Sequence, residues 1–129
     1  MVTLDFYGCA PDALSDPSQV RRVMLEAAGA MGATVIGDAF NHFAPFGVSG
    51  VIIIAESHLA IHTWPEYGFA AVTFETCGAS IDPWKGLPIL REAFEAERVS
   101  QFEIKRGLFE VAPGTLPHKA QAMIGTASR

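Results

Sequence analysis

The sequence has little cysteine, little positive charge and no long apolar run. Cys9 and Cys77 are the two cysteines among 129 residues, too few for a disulfide framework. The longest aliphatic run, Val51 to Ala55, is far shorter than the roughly 20 residues that span a bilayer as a helix. Residues 1–5 carry no basic segment and no leader-like apolar core. We therefore expect a cytoplasmic protein that does not insert into membranes.

The charge balance is acidic. Nine Lys and Arg against 14 Asp and Glu give a net charge of −5, which argues against nucleic acid or an anionic membrane surface as the main partner. Half of the residues are hydrophobic and 18% are charged, a composition typical of folded domains. Because a chain of this length forms one domain of ordinary size, we expect residues 1–129 to fold as a single unit.

Apolar spacing predicts the secondary structure. Val2, Leu4 and Phe6 alternate with polar residues, which indicates a half-buried strand. Asp16-Pro17 predicts a helix start and Gly32 its end, with apolar residues three and four positions apart between them. Further predictions are a helix over 88–97, a loop over 45–50, a loose tail after 114, and extended segments over 33–43, 51–55, 58–63, 69–76 and 99–105.

The order of these elements predicts the fold class. The middle strands follow one another without intervening helices, which favours antiparallel pairing. The continuous apolar run at 51–55 is typical of a strand that is covered on both faces. We expect an α+β fold, a two-layer sandwich of one antiparallel sheet with the helices packed on one face.

Residues 56–66 concentrate chemically active side chains. They include two histidines, a serine, two carboxylates and a tryptophan. His58 and His62 are four apart and share a face on a helix or a strand, but no third ligand stands at a recognisable spacing, so we predict no metal site. Ser57 beside His58 is compatible with a hydrolase, yet the glycine-flanked elbow of such enzymes is absent from the sequence around it.

The segment Glu56-Ser57-His58-Leu59-Ala60-Ile61-His62-Thr63-Trp64-Pro65-Glu66-Tyr67-Gly68 closely resembles the signature of prokaryotic S-adenosylmethionine decarboxylases. These are pyruvoyl-dependent enzymes of spermidine biosynthesis. Further blocks that resemble the family follow in the family's order, at 46–50, 76–78, 82–85 and 117–120. Several separated blocks in the right order make the resemblance specific and extend it over most of the chain.

The resemblance implies a self-processing decarboxylase. Decarboxylation of an amino acid leaves a carbanion, and no ordinary side chain can accept its electrons. In this family a pyruvoyl group made from a serine does so, without pyridoxal phosphate or a metal. The resemblance implies that Ser57 is the precursor and that cleavage between Glu56 and Ser57 yields chains 1–56 and 57–129. It also implies a two-fold homodimer of processed protomers that acts on a small molecule near the subunit interface.

The resemblance also implies roles for individual residues. Ser49 and His62 match the residues that assist self-processing, since a hydroxyl and an imidazole suit oxyanion stabilisation and proton removal. Cys77, catalytic together with Ser57 and His62, matches the proton donor to the product carbon. The residues that match the substrate-binding positions are Phe43 and Trp64, which sandwich the adenine, and Glu66, which binds the ribose hydroxyls.

Two features depart from the family pattern. The chain starts almost directly in its first strand, without the longer beginning that is usual in the family. Glu75 stands where many members have phenylalanine, two residues before Cys77 and thus on the same strand face. Glu75 is either solvated or a substrate-binding carboxylate, which would favour a basic amino acid such as arginine or ornithine as the substrate.

The retained nucleoside-binding residues favour S-adenosylmethionine over a basic amino acid. Phe43, Trp64 and Glu66 suit an adenosyl group, so we predict S-adenosylmethionine as the substrate. An inactive relative that does not process itself is a third reading. The presence of Ser49, Ser57, His62 and Cys77 argues against it.

Overall fold

The computed structural model of the protein describes residues 1–108 and 110. Six strands form one sheet: β1 (Val2–Tyr7), β2 (Thr34–His42), β3 (Val48–Ala55), β4 (Ser57–Trp64), β5 (Phe69–Thr76) and β6 (Arg98–Glu103). Three α-helices accompany them: α1 (Pro11–Ser15), α2 (Pro17–Met31) and α3 (Leu87–Phe94). Short 3-10 turns occupy Pro65–Tyr67 and Pro83–Lys85. The strand order is β2-β3-β4-β5-β1-β6, and every neighbouring pair is antiparallel.

Helix α2 forms where its end signals predict it. The Asp16 carboxylate accepts a hydrogen bond from the Ser18 amide at 3.0 Å, and Pro17 occupies the first turn. Gly32 ends the helix in the left-handed conformation, at φ 84°. The buried side chains of α2 recur three and four residues apart, so one stripe of the helix faces the sheet.

The sheet is covered by helices on one face only, which confirms the predicted α+β sandwich. In β1 buried residues alternate with partly exposed ones, and the core side chains pack against the helices. The largest of the fully buried side chains are Phe6, Phe74, Phe94, Leu4, Leu14 and Met24. The opposite face of the sheet, which we call the open face, has no helix over it among the described residues.

The middle of the chain differs from the prediction in two ways. Strand β3 begins at Val48, inside the predicted loop, because the Phe43 amide donates to the Gly47 carbonyl at 2.8 Å and closes a short turn before it. The prediction that both faces of 51–55 are covered is wrong for the single chain, because alternation places Ile53 on the open face, where it is 51% exposed.

Helices α1 and α3 also differ from the prediction. Helix α1 was not predicted, since no side chain caps its first turn. Helix α3 ends at Phe94 rather than 97, where Glu95 takes a left-handed conformation with φ 53° and Ala96 donates to the Arg91 carbonyl. The predicted tail after 114 and the block at 117–120 lie outside the described residues. No helix within 1–108 is long and apolar enough to cross a membrane.

Candidate active site

The predicted cleavage point lies in a tight hairpin between β3 and β4. Ile54 pairs with Ser57, so that Ala55 and Glu56 alone form the turn. Ser57 has a φ of 101°, a value that residues other than glycine rarely adopt. Such conformations persist where the surrounding structure holds them and they cluster at functional sites. Here the β3 and β5 neighbours of Ser57 hold it from both sides.

Cys77 lies at the same end of the sheet as this turn. Ser57 pairs with Thr76 at the end of β5, and Cys77 is the next residue. Its thiol is free and its side chain is exposed. Cys9 differs, because it is buried and its burial raises the pKa of the thiol to about 11. Of the two cysteines, only Cys77 lies at the end of the sheet that carries Ser57.

Ser49 and His62 form a hydrogen-bonded pair on the open face. They are register partners on β3 and β4, and Ser49 Oγ lies 2.8 Å from His62 Nδ1. The pairing follows from the register that the hairpin turn fixes, because cross-strand partners share a face. A hydroxyl that is hydrogen-bonded to an imidazole can donate a hydrogen bond to an oxyanion, and the imidazole can accept a proton.

The Ser49–His62 pair lines a cavity together with the residues predicted to bind substrate. The cavity has a volume of about 280 Å³. Its lining residues are Phe43, Phe46, Gly47, Ser49, His62, Thr63, Trp64 and Glu66. Sequence reasoning missed Phe46 as a candidate, although the family-like block at 46–50 begins with it. Aromatic rings, one carboxylate and one imidazole together suit a ligand with a flat apolar ring and hydroxyl groups.

Thr63 fixes the strand ends that carry this cavity. Its buried hydroxyl accepts a hydrogen bond from the Val48 amide at 2.9 Å and donates one to the Leu14 carbonyl, also at 2.9 Å. The contact ties the start of β3 to the end of β4 and both to α1. Because His62 and Trp64 flank Thr63 in the chain, the two hydrogen bonds of Thr63 also position them on the open face.

The cavity and the cleavage point lie at opposite ends of β4. Ser57 begins the strand and His62 lies five residues further on. At about 3.3 Å per residue the two Cα atoms are roughly 16 Å apart. The structure therefore brings the predicted site residues together in two groups: Ser57 with Cys77, and Phe43, Ser49, His62, Trp64 and Glu66 around the cavity.

The same spacing argues against a shared metal between His58 and His62. In strand β4 four residues span about 13 Å, and parallel side chains keep that separation. Two ligands of one ion lie only about 2 Å from it. No cluster of three or more metal-ligating side chains occurs within residues 1–108 and 110.

Glu75 lies on the open face near the cleavage point. It is the register partner of His58 and stands two residues before Cys77. Its carboxylate oxygen Oε1 accepts a hydrogen bond from Arg106 Nη1 at 2.8 Å, and its side chain is 27% exposed. Neither alternative for Glu75 included this ion pair, because nothing in the sequence marks a partner 31 positions away.

Comparison with solved structures identifies the class of fold. The crystal structure of the adenosylmethionine decarboxylase from Aquifex aeolicus superimposes with a TM-score of 0.79 and 28% sequence identity. The match covers 88% of this chain and 94% of that one. The helix-backed antiparallel sheet is thus the fold of an adenosylmethionine decarboxylase.

Sequence comparison gives the family. A sequence model of the S-adenosylmethionine decarboxylase family matches residues 1–107, and the chain belongs to this family. An S-adenosylmethionine decarboxylase proenzyme of Acidithiobacillus ferrooxidans is 54% identical over 82% of this chain and 80% of its own length. Another proenzyme of this name, from Thermotoga maritima, is 45% identical over 90% of this chain and 91% of its own length.

Proposed function

We propose that this chain is a cytoplasmic proenzyme that cleaves itself and then decarboxylates S-adenosylmethionine, supplying the aminopropyl donor of spermidine biosynthesis. The relatives named as S-adenosylmethionine decarboxylase proenzymes support this activity. The observation that carries the proposal is the hairpin, in which Ser57 is held at a positive φ directly after Glu56 and beside Cys77.

Self-processing starts from the Ser57 hydroxyl. Its Oγ attacks the carbonyl carbon of Glu56, and the peptide nitrogen leaves as the new amino group of Ser57, which gives an ester. A base then removes the α-proton of Ser57, and the Glu56 carboxylate leaves as the ester C–O bond breaks. The resulting dehydroalanine takes up water and releases ammonia, which leaves a pyruvoyl group at the start of chain 57–129 and a free chain 1–56.

The Ser49–His62 pair suits both processing steps. A hydroxyl donor stabilises the oxyanion that forms on the Glu56 carbonyl, and an imidazole accepts the α-proton. Within one chain the pair lies roughly 16 Å along β4 from Ser57, much further than a hydrogen bond reaches. The site therefore requires the pair from a second copy, which fits a two-fold homodimer that is joined through the open face.

The open face has the character of a surface that a second sheet covers. Ile53 is 51% exposed there, beside Val51 on the same face of a strand whose other face is core. Apolar side chains exposed in a row on a sheet favour association. A second copy that packs its open face here brings each cleavage hairpin next to the partner's cavity.

Substrate binding follows from the cavity. Phe43 and Trp64 offer ring faces to the adenine, and Glu66 offers a carboxylate to the ribose hydroxyls. A cation near aromatic faces is stabilised by roughly 0.5–2 kcal/mol, which suits the sulfonium of S-adenosylmethionine. The pyruvoyl group supplies the electron sink for the carbanion that loss of CO₂ creates. Cys77 then donates the proton that the product carbon requires.

Two substitutions test this assignment. Ser57→Ala should abolish both cleavage and decarboxylation, while Ser100→Ala, in the edge strand β6, should leave both intact. Cys77→Ala should leave cleavage intact but slow turnover about 10²–10⁴-fold, the usual contribution of a general acid. The measurements are denaturing gel analysis and release of CO₂ from S-adenosylmethionine. Cleavage of Ser57→Ala, or normal turnover of Cys77→Ala, would show the corresponding role to be wrong.

A further inference from the structure

An ion pair between Glu75 and Arg106 lies beside the predicted cleavage hairpin. Glu75 Oε1 and Arg106 Nη1 are 2.8 Å apart, the length of a charge-assisted hydrogen bond. The carboxylate side chain is 27% exposed and the guanidinium side chain 60%. The Glu75 carboxylate is therefore partly withdrawn from water, whereas the Arg106 guanidinium is accessible to water.

The position of Glu75 makes its charge relevant to substrate choice. Glu75 pairs across the strands with His58, and Thr76, the residue after it, pairs with Ser57. An amino acid joined to the group made from Ser57 would therefore start one register position from this carboxylate. An unpaired carboxylate at that place would bind the ammonium or guanidinium end of a basic amino acid.

The segment after β6 holds Arg106 in place. The Ile104 amide donates to the Met1 carbonyl at 2.7 Å, and the Met1 amino group donates to the Ile104 carbonyl at 2.8 Å. Val2 of β1 pairs with Phe74, so Met1 lies close to Glu75. Two residues beyond this anchored Ile104, Arg106 reaches Glu75 across the start of β1.

We propose that Arg106 is a specificity-determining residue: it occupies the Glu75 carboxylate and so denies an anionic contact to amino acids with cationic side chains. This inference rests on the proposed function. It accounts for a carboxylate beside the reacting group in an enzyme whose cavity suits an adenosyl substrate. Adenosyl recognition at Phe43, Trp64 and Glu66 does not use this carboxylate.

The test removes the charge of Arg106 and follows basic amino acids. Arg106→Gln should raise kcat/KM for arginine or ornithine by about ten- to hundredfold, the contribution of a hydrogen bond between charged partners. Lys105→Gln, which makes the same charge change one residue away, should give no gain. Glu75→Gln/Arg106→Gln should lose the gain, because no carboxylate remains.

A binding measurement gives a readout that does not need turnover. In the processed protein, Arg106→Gln should lower about tenfold the concentration of arginine or ornithine that half-saturates borohydride trapping. No gain for either amino acid in turnover and binding, or an equal gain in Lys105→Gln, would overturn the role of Arg106. Failure of the unsubstituted chain to cleave itself or to use S-adenosylmethionine would instead refute the proposed function.

Discussion

The distance between Ser57 and His62 predicts that self-processing needs two copies of the chain. Ser57 and His62 are roughly 16 Å apart along β4, five residues at about 3.3 Å each. A base acts on a proton within hydrogen-bond reach, about 3 Å. We therefore predict that His62 acts on the Ser57 of a second copy, so that a dimer would contain two composite sites.

Mixed dimers test this arrangement. A Ser57→Ala chain retains the Ser49–His62 pair, and a His62→Ala chain retains the cleavable hairpin. The His62→Ala homodimer should process about 10²–10⁴-fold more slowly than the unsubstituted protein, the usual contribution of an acid–base group. In a mixed dimer, purified through two different tags, the His62→Ala chain should be cleaved at close to the normal rate.

The assay is a time course of chain cleavage on denaturing gels after a pulse of expression. A matched control pairs the His62→Ala chain with a Ser57→Ala/His62→Ala chain, which has no intact imidazole at this position and should give no rescue. If the His62→Ala chain stays uncleaved in the mixed dimer, the composite site is refuted. If the His62→Ala homodimer cleaves itself normally, His62 has no part in processing.

Two further predictions concern the thiols and the buried hydroxyl. Iodoacetamide at pH 8 should modify exposed Cys77 and spare buried Cys9, whose pKa of about 11 keeps it protonated; equal labelling in peptide mapping would contradict this. Thr63→Val leaves the Val48 amide and the Leu14 carbonyl without their partner, so the free energy of unfolding should fall by about 2–4 kcal/mol in denaturant titrations. An unchanged free energy of unfolding would show that these bonds contribute nothing.

Local signals in the sequence were enough for most of the fold. Asp16-Pro17 and Gly32 mark the ends of α2, and alternation in β1 identifies its buried face. The start of β3 was missed because a backbone hydrogen bond between Phe43 and Gly47 sets it, and residue types do not reveal such a bond.

The sequence indicates which residues are candidates for the site but not how they are arranged. Ser49 and His62 share a face because the hairpin register fixes them opposite each other. That Ser57 lies at the other end of β4 follows from strand geometry once the segment is known to be extended. The contact of Glu75 with Arg106 depends on how the end of β6 passes β1, and no local pattern indicates it.

The most direct test of the central claim is the intact mass of the protein under denaturing conditions, after incubation with S-adenosylmethionine and mild borohydride. We predict two fragments, residues 1–56 and 57–129, with the second carrying a reduced covalent adduct of the decarboxylated substrate. A single uncleaved species near 13.8 kDa would contradict the account.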